Sequence, residues 1–279
     1  MKNRSSYGAS RGHAVAPVKN QPQSSSKPSP VKNKPSSRAA AKPVSPNRQR
    51  GFGGGKRPYD YAFYERAEAT PAYLARLFAE HHFAVGSREI SAYWRYYCLL
   101  REHNAALDLT RIMGIEATVL KHFIDCAVVA DMLPLGKTVV DIGSGAGFPG
   151  VPLALRSPAT RVILAESRGK RVQFLEMVKR DLQLTNVEIF PRSVTTETPI
   201  VADDFITRAV EVIPATLARL SPFMAPNGRA IFMKGPNCGP EITAAQQQFK
   251  GVFKMTADEK YAIGGREQRR LVVFSKRGE

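Results

Sequence analysis

Cysteine is scarce in this chain. Three residues, Cys98, Cys126 and Cys238, stand far apart among 279, and no C-x-x-C pair occurs. That spacing argues against a disulfide framework or a zinc site, and a reducing cytoplasm is the expected setting. No run of about 18 apolar residues occurs, so no membrane span is expected. No apolar stretch of secretory type opens the N-terminus, so no signal peptide is expected there. Acid is missing altogether from residues 1–58, which hold 13 Lys/Arg. The remainder has 28 Lys/Arg against 24 Asp/Glu, so the formal charge of +17 divides into +13 and +4. Large apolar residues are nearly absent from the same 58 positions, which are rich in Ser, Pro, Lys, Arg and Gly. Such a segment cannot bury enough surface to offset its ordering entropy and is expected to be disordered. Two readings of it stand level: a basic arm that holds phosphates loosely, or a solvated extension. An organellar transit peptide is a third, though the prolines and lysines fit it less well.

What is present divides the rest in two. Residues 59–136 read as helical. Tyr73, Leu74, Leu77 and Phe78 share one helix face, as do Ile90, Tyr93, Trp94, Tyr97, Leu100 and Leu107. A further helix is expected through Val119, Leu120, Phe123, Ile124, Val128 and Leu133, stopping near Pro134 and Gly136. The aromatic stripe reads as core rather than as a stacking platform for bases. From residue 137 to 279 the rhythm alternates between strand and helix. Strands are expected at 138–142, 161–165, 187–190, 205–207, 229–233 and 271–274, with an amphipathic helix over 169–184. That alternation predicts an α/β fold with a parallel, doubly wound sheet.

One stretch carries the most chemistry. A β-branched run ends at Asp141 and turns through Gly143, Gly145 and Gly147 into an apolar segment opened by Pro149. Alternate glycines let backbone N–H groups approach a ligand beyond the carboxyl end of a first strand. The spacing is G-x-G-x-G rather than G-x-G-x-x-G, which points away from NAD and toward S-adenosylmethionine. Glu166 closes the next expected strand, about 20 residues on, where an acceptor-only carboxylate suits a ribose diol. An NAD site would place an acid there too, so Glu166 alone leaves both cofactors open.

Further runs accompany this turn: His122-Phe123-Ile124-Asp125-Cys126, Gly169-Lys170-Arg171 with Phe174-Leu175, Thr207-Arg208-Ala209, Lys234-Gly235, and Arg269 ahead of Leu271-Val272. Together with the two prolines of Gly147-Phe148-Pro149-Gly150-Val151-Pro152-Leu153, they resemble, in order, the RsmG (GidB) family of bacterial 16S rRNA guanine-N7 methyltransferases. The likeness runs from about residue 90 to 275 and leaves the basic tail outside. It implies a Rossmann-like class I methyltransferase sheet behind a helical N-terminal extension. It also implies S-adenosylmethionine as cofactor, and 16S rRNA or the small ribosomal subunit, an assembly intermediate included, as partner to a monomer in the cytoplasm. The cofactor contacts it implies fall on Gly143 and Phe148, on Val194 and Thr195 for the adenine, and on Arg208. Asp141, Gly145, Gly147 and Glu166 complete the expected cofactor set. His122, Asp125 and Lys234 are candidates for contact with RNA. This chain departs from the family pattern at Asp108, Lys121 and Cys126, where Asn, Arg and Ser are usual. The segment Asp108-Leu109-Thr110 reads as an RNA-contacting loop or as a helix-capping turn, the latter favoured.

The residues also limit the chemistry. A pyrimidine C5 acceptor calls for a cysteine nucleophile, and no Pro-Cys pair is present. The place where an Asn/Asp-Pro-Pro-aromatic loop would serve an exocyclic amine reads Thr207-Arg208-Ala209-Val210. Guanine N7 already carries an in-plane lone pair, so positioning and electrostatics suffice. No residue is assigned as general base and no metal is expected. Arg208 could meet the methionine carboxylate of the cofactor or a phosphate of the RNA, with a structural salt bridge as the alternative. His122 and Asp125 could be a bonded pair tying helix to sheet, and Lys234-Gly235 a plain strand end. Two rivals to rRNA methylation remain: a methyltransferase of the same fold acting on a small molecule or protein, and an RNA-binding protein without catalysis.

Overall fold

The computed structural model describes residues 69–278, so the expectations for the tail at 1–58 lie outside the described residues. Three apolar-faced segments precede the sheet. Helix α1 (Pro71–Glu80) is capped by Thr70, whose side chain accepts the Tyr73 N–H at 3.1 Å. Helix α2 (Ser87–Leu107) buries Tyr93, Tyr96, Tyr97, Leu99 and Leu100 and ends at Asp108 in the left-handed region. The expected third helix is interrupted. A short α3 (Ile115–Thr118) widens into a π-helical segment, Val119–Ile124, before α4 (Asp125–Met132) resumes. All six residues of the π segment are buried. A π turn adds a residue per turn, and such widenings concentrate at functional sites.

Strands β1 (Thr138–Ile142), β2 (Arg161–Ala165) and β3 (Val187–Phe190) match their expected bounds. Strand β4 (Asp204–Arg208) extends one residue beyond expectation at each end, and β5 (Arg229–Lys234) runs one residue further. Helix α5 (Gly150–Arg156) follows the glycine turn and α6 (Gly169–Asp181) follows β2. Helices α7 (Ile213–Leu220) and α8 (Gly239–Gln248) were not anticipated. Strand β6 (Phe253–Ile263) was not anticipated either, and β7 (Glu267–Lys276) is far longer than the four residues expected.

The described residues form a seven-stranded sheet in the order β3-β2-β1-β4-β5-β7-β6. The first five strands are parallel, but β7 runs antiparallel to both β5 and β6. The expectation of a parallel sheet is therefore corrected at one edge. A positive-φ pair, Gly264-Gly265, turns β6 back on β7, and a tight hairpin forces antiparallel pairing. Strand alternation sends Val139, Ile206 and Ile231 into the core shared with α1–α6, and Val140, Phe205 and Phe232 into the core under α7 and α8. Helices thus cover both faces of a Rossmann-like sheet. Chain order reverses between β1 and β4, which places a ligand crevice beyond their carboxyl ends. No helix among the described residues is long and apolar enough to cross a membrane.

Candidate cofactor and substrate site

A cavity of about 690 Å³ opens at that reversal point. Its floor is the glycine turn. Gly143 and Ser144 N–H both donate to the Ala165 carbonyl, which folds the turn onto the end of β2. Gly143 has φ +70°, and a Cβ there would come within 2.9 Å of Val210 Cγ2. Gly147 has φ +101° and leaves no room for a Cβ beneath the Tyr96 hydroxyl and Val151. Tyr96 in turn donates to the Ala146 carbonyl at 2.5 Å, so α2 holds the turn from outside the sheet. Asp141 is fully buried and accepts the Gly150 N–H at 2.8 Å, pinning the start of α5. Burial pushes its carboxyl up to about 7, and Oδ1 has no hydrogen-bond partner. Asp141 and Gly147 thus build the turn without lining the cavity.

Gly143, Gly145, Phe148, Glu166 and Arg208 do line it, with His122, Asp125 and Lys234. Glu166 accepts Gly145 N–H at 3.0 Å and Arg168 N–H at 2.8 Å. An ionised carboxylate offers about four lone-pair sites, so two remain for ribose hydroxyls. Val194 and Thr195 do not line the cavity. Val194 packs into the α7–α8 core, and the Thr195 hydroxyl bonds Thr198.

The opposite wall is polar and tightly bonded. Arg208, ending β4, donates to the Lys121 carbonyl at 2.8 Å, to Asp125 Oδ2 at 3.4 Å and to His122 Nδ1 at 2.9 Å. His122 stacks on Phe148 with centroids 4.2 Å apart, and burial followed by the Arg208 charge holds its imidazole well below the usual range. Asp125 also accepts from Tyr261 at 3.0 Å and Arg269 at 3.4 Å. Lys121 pairs with Glu267 at 2.6 Å, and Lys234 with Glu241 at 2.8 Å. His122 and Asp125 are therefore tied to the sheet through Arg208 rather than to each other. Tyr261 and Glu267 sit on strand positions whose sequence carries no signal for a distant helix. Thr110 and Arg269 lay inside the motifs already quoted. Cys126 is fully buried, outside the lining, and burial raises its thiol, so it serves as core. Asp108 closes α2, while Asn104 Oδ1 accepts the Leu109 and Thr110 N–H groups, so the segment is a capping turn. Thr110 reaches the cavity all the same.

A family model described as rRNA small subunit methyltransferase G matches residues 89–272. The chain belongs to that family. Among curated members of the rRNA small subunit methyltransferase G family, the protein of Syntrophobacter fumaroxidans is 40% identical over 190 residues, 68% of this chain. The match spans only 38% of that relative's length. The protein of Bdellovibrio bacteriovorus is 33% identical over 224 residues, covering 80% of this chain and 88% of its own. Both bear the name ribosomal RNA small subunit methyltransferase G 2. A solved structure of TYW2 from M. jannaschii in complex with AdoMet is 19% identical, with a TM-score of 0.44 over 61% of this chain and 80% of that one. That likeness is too distant to bear on function. In this family member the matched span covers the glycine turn, the π segment, Arg208 and Arg269.

Proposed function

We propose that the chain transfers a methyl group from S-adenosylmethionine to N7 of one guanine in small-subunit rRNA. Family membership supports the reading, and one observation carries the choice of acceptor. Among the described residues, each carboxylate and imidazole of the cavity already accepts hydrogen bonds, and the sites left on Glu166 are those that suit the ribose. His122 Nδ1 is bonded to Arg208, Asp125 is held by two arginines and a tyrosine, and Glu166 accepts two backbone N–H groups. Among the described residues, no cysteine or tyrosine lines the cavity. Guanine N7 attacks through a lone pair and gives up no proton, so a cavity without a free base suits it.

When bound, the cofactor supplies a methyl group on a positively charged sulfur. The chain's own work is placement. Glu166 would hold the ribose diol, and Gly143 admits the cofactor close to the backbone. Asp125 and Glu166 contribute the negative charge that a sulfonium favours. Lys121, Arg168, Arg171, Arg208, Lys234 and Arg269 give the lining a positive balance for an RNA backbone. Phe148 and His122, both buried and stacked on each other, would keep water from that part of the wall. The same reading takes the protein as a monomer of the cytoplasm acting on 16S rRNA, free or within a small subunit or its assembly intermediate. Mapping modified nucleotides in rRNA from a strain lacking the gene tests it. One 7-methylguanosine of the small-subunit rRNA should vanish and return on complementation; an unchanged map sinks the proposal.

A further inference from the structure

Thr110 is the most constrained hydroxyl of the cavity wall. Asn104 fixes its backbone: Oδ1 accepts the Thr110 N–H at 2.8 Å and Nδ2 donates to the Thr110 carbonyl at 2.9 Å. The side chain is fixed by a chain of donors that begins at β4. A guanidinium has only donors, so Arg208 donates to His122 Nδ1 at 2.9 Å. That nitrogen therefore carries the lone pair, and the proton of the neutral ring sits on Nε2. Nε2–H then donates to Thr110 Oγ1 at 2.8 Å. The Ile112 N–H donates to the same oxygen at 3.0 Å. A hydroxyl oxygen accepts two hydrogen bonds, and both places are filled. Its own proton is the capacity left over, and no described residue accepts it. Thr110 lines the cavity, so the donor is directed to whatever the cavity holds.

We propose that Thr110 donates this hydrogen bond to the O6 carbonyl of the target guanine and so selects the base. The inference rests on the methyltransferase reading above and deepens it. Guanine presents N7 and O6 side by side as two acceptors on one edge, whereas adenine presents N7 beside an amine donor. A fixed donor next to the methyl-accepting nitrogen pairs with guanine and faces adenine donor to donor. Leaving such buried groups unpaired is what gives a hydrogen-bonding site its discrimination. His122 is a positioning residue here: it sets the direction of the Thr110 proton without touching the base.

The test uses small subunits reconstituted with 16S rRNA bearing guanine, inosine or 2-aminopurine at the mapped nucleotide. Inosine keeps O6, 2-aminopurine lacks it, and both keep N7. The full chain should favour guanine and inosine over 2-aminopurine by roughly 10- to 100-fold in kcat/KM, the worth of one buried hydrogen bond. Thr110→Val should lose that preference, guanine and inosine falling to the 2-aminopurine level, and Thr110→Ser should keep it. Calorimetric affinity for S-adenosylmethionine should stay within about twofold in both variants, which also shows that they fold. A Thr110→Val protein that still prefers guanine overturns the assignment. So does one whose cofactor affinity falls in step with its rate, because the acceptor is then on the cofactor. No transfer to guanine subunits by the unaltered chain would sink the methyltransferase reading itself, and the Thr110 assignment with it.

Discussion

Asp141 shows how one buried carboxyl serves the turn. Its side chain reaches past the glycines to the Gly150 N–H at 2.8 Å, and a Cβ on Gly150 would fall 2.2 Å from Leu164 Cδ2. The acid and the glycine therefore specify each other. Desolvation lifts the Asp141 pKa to about 7, against weaker opposing hydrogen bonds from Gly150 and Ser144. The sign of the linked stability follows from the raised value. The contribution is fully present below the unfolded value near 4 and lost as pH rises through about 7, a total of a few kcal/mol. Asp141→Asn keeps an acceptor for Gly150 and cannot ionise. Urea midpoints from pH 5 to 8 should therefore fall for the natural chain relative to the Asn variant, the gap opening toward pH 8. A gap that stays constant over that range would mean that Asp141 does not titrate there. Asp141 was expected as a cofactor contact, since the acid at the end of β1 is a motif position. The fold turns its carboxylate to the helix start instead.

At the scale of elements, the site is where the continuous π–α4 segment and the distant β6–β7 hairpin converge on the end of β4. The π segment brings Lys121 and His122, α4 brings Asp125, and the β6–β7 hairpin brings Tyr261, Glu267 and Arg269. The expected apolar spacing over 119–133 was right about burial and silent about the π widening, because periodicity cannot register one extra residue in one turn. Strands β1, β2, β4 and β5 were legible because each is a short, mostly apolar run buried on both faces, and β3 because Val187, Ile189 and Phe190 keep an apolar run at the edge although Glu188 is exposed. Strand β6 was not: Lys254, Asp258, Glu259 and Lys260 interrupt its pattern, as charges do on an edge that must not recruit another strand. Its function was hidden with it, since Tyr261 anchors Asp125 across 136 positions of sequence. Tyr261→Phe removes one hydroxyl and leaves Asp125 Oδ1 buried without it. The variant should lose about 1–3 kcal/mol of stability, read as a lower urea midpoint at unchanged slope. An unchanged midpoint would show that the hairpin is not held to α4 by that bond.

Over the whole molecule, charge divides as it does along the sequence. Residues 59–279 carry +4 and residues 1–58 carry +13. The cavity needs its cations in fixed places: Arg208 is locked by three bonds and Lys234 by two. On the proposed function those positions would orient the substrate, and they are too few and too paired to supply much long-range attraction. The tail is the opposite case, with 13 cations, no acid and no apolar pattern to arrange them. Cations of that kind bind phosphate by releasing counterions, with a slope in log affinity of about 0.7 per phosphate on single strands and 0.9 on duplex. Deleting residues 1–58 should therefore flatten the salt dependence of RNA affinity by several phosphates' worth. Turnover on saturating substrate should hold, because the glycine turn, Glu166 and the Arg208 network lie in the part retained. Titrating both forms with small-subunit rRNA between roughly 50 and 200 mM salt checks this directly. If the two slopes coincide, residues 1–58 make no contact with RNA, and residues 59–279 alone must account for the whole affinity.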